Sequence, residues 1–391
     1  MFQALYNSLS GLFSFSKSLD TVSNNVANMN TPGFRGSDAF LENLSGEHGT
    51  RIAGQGLRTT AGDLRQTGNA TDVAVEGAGY FVLRDSAGAL HYTRAGQFAF
   101  DDRGILIDGI SKFEVMAIDT DGRLSPVTLE GHRTLAAKPT TGVTLSGNLS
   151  PTSSGSEVKN ISVYDAAGAT HTLKAAFAVA NTGTGTSTGS SRRFTVTITD
   201  ESGAQVGSGE LRFSTAGSLE AGYGTVDATL ALPGGNQKIT FNFGTPGTFQ
   251  GTTSLSGLTD NVSATVDDGR PVLGITALAF DEKGVLQITY SSTEKQQGQQ
   301  LALAAFKSES TLKLSSGRLL SDAESQRSEL GRAGTSVFGK IQGGSLEMSN
   351  IDLTREFADM LIIQRGYQAS SRVMTVSNEM IEQLYNSTRG G

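Results

Sequence analysis

At 391 residues and 40.8 kDa the chain has room for two or three domains. A net charge of −7 and a pI near 5.3 argue against a nucleic-acid binder, which would carry a basic face, and against docking onto anionic lipid. The absence of cysteine rules out thiol catalysis, disulfides and cysteine-based zinc sites, and His48, His91, His132 and His171 are too far apart for an HExxH pair.

The first element is a helix. Phe2, Leu5, Leu9, Leu12, Phe15, Leu19, Val22, Val26 and Met29 recur every three or four residues, one stripe with nearly the period of a coiled-coil seam. Ser10, Ser14, Ser18, Asn24 and Asn28 form the opposite face, and Lys17 and Asp20 are the charges before Arg35. Thr31-Pro32-Gly33 breaks the pattern, so the helix should be roughly 40 Å long. The continuous apolar core of a cleavable signal peptide is missing here, and nowhere does the chain approach the ~20 apolar residues of a membrane span. Residues 35–70 are rich in glycine and poor in apolar anchors, which predicts an extended connector.

The middle carries a repeated turn. Asp-x-x-Gly occurs at Asp85–Gly88, Asp101–Gly104, Asp119–Gly122, Asp165–Gly168, Asp200–Gly203 and Asp281–Gly284, each after an apolar or β-branched run. Aspartate can accept from backbone N–H groups within the turn and glycine supplies the left-handed residue, so the middle should be all β. A stretch still richer in Gly, Ser and Thr lies between the turn-like Thr140-Thr141-Gly142 and Asp268-Gly269-Arg270-Pro271. It reads as an inserted β domain, with 181–189 a low-complexity loop.

The last element is a second helix. Ser349-x-x-Asp352 has the spacing of a capping box, and no proline follows. One stripe is Leu353, Phe357, Met360, Tyr367, Met374, Ile381 and Tyr385; a second is Ile362, Ala369, Val373, Val376, Met380 and Leu384. A helix of ~38 residues, roughly 57 Å long, is far above the ~11–12 residue mean, and two stripes call for more than one neighbour. The termini could then meet as an antiparallel pair, with further copies packed alongside. The expected fold is α+β, with long terminal α-helices forming a coiled-coil-like layer and two sandwich- or barrel-like β domains between them. The division is 1–34 with 349–391 for the helices, 35–70 for the connector, 71–141 with 273–348 for an inner β domain and 142–272 for an outer one.

Motifs for chemistry are weak. Gly77-Ala78-Gly79 lacks a third glycine and a following helix, so it reads as a β-turn. Asp119-x-Asp121-Gly122 lacks the remaining calcium-loop acids. Gly185-x-Ser187-x-Gly189 falls within the low-complexity loop, not on a strand-to-helix elbow, and Asp267-Asp268 reads as a solvated turn. No catalytic residue, cofactor or metal is expected.

Two end motifs carry a resemblance. Asn24-Asn25-Val26-Ala27-Asn28-x-Asn30-Thr31-Pro32-Gly33-Phe34 resembles the N-terminal signature of the bacterial flagellar rod and hook family. Gly343-Gly344-Ser345-Leu346-Glu347-Met348-Ser349-Asn350-Ile351-Asp352-Leu353-Thr354-x-Glu356-Phe357, followed by Gln364-Arg365-x-Tyr367-Gln368-Ala369, resembles its C-terminal counterpart. Val75–Phe81 is similar to the family's first strands, and Ser146–Leu149 and Ile161–Gly168 are similar to motifs of its hook members. The length and the inserted segment resemble the hook members more than the rod members; the distal rod member is similar at both ends but lacks such an insert.

The resemblance implies a non-enzymatic subunit of a hollow, flexible helical tube, a universal joint passing torque from rod to filament. It implies export through the type III apparatus without a cleaved signal peptide, and location in the extracellular flagellum. The implied partners are copies of itself, rod and hook–filament junction proteins, and a hook cap during assembly, with no nucleic acid and no membrane insertion. The implied polymer seams are Leu5, Leu9, Leu12, Phe15, Leu19, Val22 and Val26 on the first helix. On the second they are Leu353, Phe357, Met360, Tyr367, Val373, Met374, Val376, Met380, Ile381 and Leu384. The Ser/Asn face of residues 10–28 is the expected wet channel wall. A secreted β-rich adhesin or enzyme is the competing class.

Overall fold

The computed structural model describes residues 2–44, 49–180, 192–315, 318–321, 323–335 and 337–389. The low-complexity loop at 181–189 and its Gly-x-Ser-x-Gly match lie outside the described residues. The chain divides into two compact units, Met1–Arg133 with Ile275–Gly391, and Thr134–Gly274.

The first unit holds both helices. Helix α1 spans Phe2–Ala27 and helix α2 spans Leu353–Arg389, 37 residues. The expected capping box does not form. Asp352 is itself the cap, its Oδ1 accepting from the N–H groups of Thr354 at 2.8 Å and Arg355 at 3.3 Å, while the buried Ser349 hydroxyl has no partner among the described residues. Among the described residues no helix is long and apolar enough to cross a membrane.

Residues 37–57, expected as part of an extended connector, contain a two-stranded antiparallel hairpin, Ser37–Asn43 with Thr50–Leu57. Alternation is hard to see because the apolar residues are few; Phe40 and Leu41 remain exposed, and Gly56 and Leu57 are buried. In the same unit a ten-stranded sheet is built around Tyr80–Arg84, which pairs antiparallel with Leu90–Thr93, Glu114–Ile118 and the distant Ala302–Phe306. Its core includes Val82, Tyr92, Met116 and Phe306.

The second unit is a nine-stranded, mainly antiparallel sheet running from Ser156–Tyr164 to Gly142–Asn148 and Thr252–Thr253. Thr225–Leu232 alternates buried and exposed along most of its length, as a strand with one wet face must. Phe177, Phe194, Phe213, Phe241 and Phe243 fill the interior.

All six Asp-x-x-Gly turns form. The glycine N–H donates to the aspartate carbonyl at 2.8–3.2 Å, and every one of these glycines has a positive φ, from 73° to 89°. At Asp85 the carboxylate Oδ1 accepts from Ala87 and Ala89 N–H at 2.9 and 2.8 Å, and Asp165 repeats this with Ala167 and Ala169. The Asp119 carboxylate is occupied in the same way by Asp121 and Arg123 N–H, and Gly77 and Gly79 take positive φ between two strands. Asp267 and Asp268 accept from Thr144 and Thr141, fastening the two ends of the second unit together.

Tyr80 and Tyr92 pin the segment after Phe306. Each stands edge-on to the Phe306 ring, and their hydroxyls donate to Glu309 at 3.2 Å and to Glu324. Burial, and then the Glu309 charge, push the Tyr80 phenol up to about 12. A phenol whose folded pKa is raised contributes stability that is complete below its unfolded value of ~10 and is lost as pH rises through the folded value. Thermal melts of wild type should therefore weaken between pH 10 and 12. Tyr80→Phe should cost about 1 kcal/mol at pH 7 and flatten that alkaline decline; an unchanged slope in the variant would refute the assignment.

Candidate functional site

The two ends of the chain are brought together by charge and by small side chains. Glu356, 0% exposed in the first turn of α2, accepts from Arg58 of the hairpin and from Asn25 Nδ2 of α1 at 3.1 Å. Arg58 also pairs with Asp38 at 2.7 Å. Burial works against the Arg58 charge, but the hydrogen bonds and charges of Asp38 and Glu356 outweigh it and raise its pKa. Asn25 uses its amide fully, donating to the Ser37 carbonyl at 2.9 Å and accepting from Ser37 N–H at 3.1 Å.

A second buried carboxylate lies nearby in sequence. Glu347, 1% exposed, is 2.8 Å from Arg35 and 3.5 Å from Arg94, both themselves buried, and also accepts from Gly62 N–H at 3.0 Å. Arg35 donates to the carbonyls of Thr59 and Thr60, and Arg94 lies over the Tyr80 ring. Burial lowers the Arg94 pKa, with the Glu347 charge pushing the other way. Asn350 completes the junction, accepting from Gly36 N–H and donating to the Thr60 carbonyl, both at 2.8 Å.

The N-terminal signature residues close the same junction. Asn28 donates back to the Asn24 carbonyl at 3.0 Å and accepts from the Thr31 hydroxyl, closing the turn that follows α1. Phe34 is 2% exposed. Gly33 has φ +73°, its N–H donates to the Glu347 carbonyl at 2.8 Å, and a Cβ there would sit 2.3 Å from Ala95 N, so only glycine fits.

Beyond the junction the helices run antiparallel, as Asn25 meets Glu356, Phe15 meets Gly366 and Gly11 meets Ser370. A Cβ on Gly11 would lie 3.0 Å from the Ser370 hydroxyl, and one on Gly366 2.5 Å from the Phe15 ring. The face that α1 buries is Ser8, Gly11, Ser14, Ser18, Thr21, Val22 and Asn25. This corrects the channel-wall expectation for Ser14 and Ser18, while Asn24 is exposed and Ser10 and Asn28 are half-buried. Ser14 and Ser18 are packed inside the protomer because small side chains let helix and hairpin close on them, their hydroxyls donating to the Thr50 and Ser14 carbonyls.

Of the apolar stripe on α1, Val22 is buried, Leu9 exposed, and Leu5, Leu12, Phe15, Leu19 and Val26 half-buried. On α2, Leu353, Met360 and Ile381 are half-buried. Phe357, Tyr367, Val373, Met374, Val376, Met380 and Leu384 are exposed by 36–53%. At 100° per residue α2 has three faces. Glu356, Gly366, Ser370 and Ser377 turn toward α1; Ile362, Val373, Val376 and Met380 form an exposed apolar stripe flanking that face; Gln364, Gln368, Ser371, Thr375 and Asn378 form a wet arc.

Sequence reasoning quoted Glu347, Asn350 and Glu356 without giving them roles, and passed over Arg35, Arg58, Gly11, Gly366 and Ser377. The available signal was a glycine in the middle of each helix, which costs ~1 kcal/mol unless packing needs it. Among the described residues no group of three or more His, Asp or Glu could hold a metal ion.

Three family models match this chain in order. "Flagella basal body rod protein" covers residues 5–35, "Flagellar hook protein FlgE/F/G D1 domain" covers 74–125, and "Flagellar basal body rod FlgEFG protein C-terminal" covers 342–387. The outer two coincide with the helices and the junction just described. The chain belongs to the flagellar rod and hook family. Relatives in that family match along their whole length. The flagellar hook protein FlgE of Salmonella typhimurium is 28% identical over 97% of this chain and 98% of the relative. That of Treponema pallidum is 26% identical over 100% of both, and that of Rhizobium meliloti 28% over 100% of both. Among solved structures, the flagellar hook protein FlgE2 of Helicobacter pylori is similar with a TM-score of 0.46 and 14% identity, covering 73% of this chain and 100% of that one.

Proposed function

We propose that this chain is the structural subunit of the flagellar hook, polymerising with copies of itself into a hollow, flexible tube that passes torque from rod to filament. The observation that carries the reading is the exposed apolar stripe of α2. Val373, Val376 and Met380 are 48–51% exposed beside the face that α1 fills. Apolar side chains left in water along such a helix are stabilised by burial against another copy. Membership of a family whose full-length relatives are named hook proteins supplies the kind of assembly. The role is mechanical and not enzymatic. Rod and junction proteins, a hook cap and the type III export apparatus are the partners of such a subunit. The wet arc of α2 replaces Ser14 and Ser18 as a surface left to line a channel.

Electron microscopy of concentrated, purified chain tests this. Hollow tubes are the expected result; monomers that persist at every concentration would favour the adhesin or enzyme class.

The unit Thr134–Gly274 bears on the mechanics of the tube. Its two ends leave the chain as neighbours, Val143 pairing with Val266 and Asp267 N–H donating to the Gly142 carbonyl at 3.1 Å. A short link can therefore replace what lies between. Replacing 145–270 by a Gly/Ser linker should leave tube formation intact and alter curvature or bending stiffness, measured on micrographs. Complete loss of polymer from a folded first unit, or tubes of unaltered shape and stiffness, would contradict this.

A further inference from the structure

The second unit leaves few large apolar side chains in water. Among its described residues these are Val179, Phe249, Leu258 and Val272, 45–60% exposed. The strands fix where each stands. Gly142–Asn148, Thr170–Val179 and Gly235–Asn242 run away from the end where the chain enters the unit, and Arg192–Thr199 and Thr225–Leu232 run back. Val179 ends one strand at the far end, and the loops holding Phe249 and Leu258 leave from that end as well, since Thr252–Thr253 pairs with Gly147–Asn148. Val272 stands at the entry end, where a Cβ on Gly168 would lie 3.1 Å from its backbone nitrogen. Strands of about eight residues put roughly 26 Å between the two ends.

The far end is built, not loose. Gly247 N–H donates to the Leu219 carbonyl and Ser254 N–H to the Gly217 carbonyl, both at 2.9 Å. Arg192 donates to the Ser254 carbonyl at 2.9 Å and to the Ser256 hydroxyl at 3.1 Å. Three loops and the start of a strand are thus tied together, and Phe249 projects from a fixed base. An aromatic held this way loses little entropy when a partner covers it. Charge differs between the ends. Among the described residues Arg192 has no carboxylate partner, whereas the entry end carries Asp165, Asp200, Glu201, Asp267 and Asp268 against Lys138 and Arg270.

We infer that the far end of one copy's second unit seats on the entry end of the next copy's, Phe249 against Val272 and Arg192 toward the acidic turn at Asp200 and Glu201. This rests on the polymer reading above and names the contact through which the second unit acts on the shape of the tube. The two patches differ and lie at opposite ends of one sheet, so the contact runs head to tail and does not close as a dimer. It is also small. One aromatic and its apolar neighbour present roughly 200–300 Å², far below the ~800 Å² per partner of a stable interface. It can therefore adjust between copies held together elsewhere, and cannot hold them together alone.

The absence of cysteine makes a direct test possible in the full chain. Phe249→Cys with Val272→Cys would be assembled into tubes and treated with a short bismaleimide. A ladder of covalent multimers is expected from this double variant, and none from either single variant. Dimers from Phe249→Cys alone or from Val272→Cys alone would show like ends meeting and overturn the inference, as would a double variant whose tubes give no ladder. Phe249→Ser with Leu258→Ser supplies a second readout. Its circular dichroism should match wild type, since both side chains are exposed, and its tubes should form with altered curvature or stiffness. Tubes of unaltered shape and stiffness, or none from a folded variant, would overturn the inference. If wild type itself forms no tubes, it is the polymer reading that fails.

Discussion

Glu347→Ala is expected to be the most damaging single substitution at the junction, costing about 3–5 kcal/mol, because it strips the partner from two buried guanidiniums at once. Arg35 and Arg94 are 2% and 4% exposed, and Glu347 stands 2.8 and 3.5 Å from them. Removing the carboxylate leaves two positive charges out of water with carbonyl groups for company, and frees the N–H of Gly62. Glu347→Gln separates charge from shape: it can still accept from Gly62 but cannot neutralise either arginine, so it should cost nearly as much. Denaturant unfolding followed by circular dichroism reads both, and a loss below ~1 kcal/mol for the alanine variant would show that water or rearrangement satisfies the arginines.

Val376→Asp is expected to abolish polymerisation and spare the fold. Val376 is 49% exposed, so a carboxylate there is hydrated in the monomer. In an assembled tube it would enter an apolar contact unpaired, at several kcal/mol per contact, and every subunit repeats the penalty. The variant should be soluble, with a wild-type spectrum and no tubes at concentrations where wild type assembles. Val22→Asp is the informative contrast. Val22 is 7% exposed inside the protomer, so a charge there should lower stability before assembly is ever reached. Normal tubes from Val376→Asp would remove the exposed stripe from the subunit contact.

Periodicity made the long helices and the hairpins legible. The period in Phe2–Met29 and in Leu353–Leu384 marks two helices, and six aspartate–glycine turns mark a β middle, because each is a local consequence of backbone geometry. Orientation was not legible in the same way. An apolar stripe on a lone helix would turn inward, yet α1 buries Ser8, Gly11, Ser14 and Ser18 against its neighbours and leaves Leu9 out. The reason is close approach: glycine at 11 and 366 and serine at 370 let the helices come together where leucine could not, which leaves large side chains outside. The junction was illegible for a different reason. Glu347, Arg35 and Arg94, or Glu356, Arg58 and Asn25, lie far apart in sequence, and no local pattern announces which arginine meets which carboxylate.

Place in the flagellum is the central claim, and immunogold labelling tests it most directly. Antibody against the second unit, Thr134–Gly274, would be applied to isolated flagella that keep rod, hook and filament. Gold confined to the short curved segment between rod and filament is the predicted result; gold on the straight rod alone, or none on the flagellum, would contradict it.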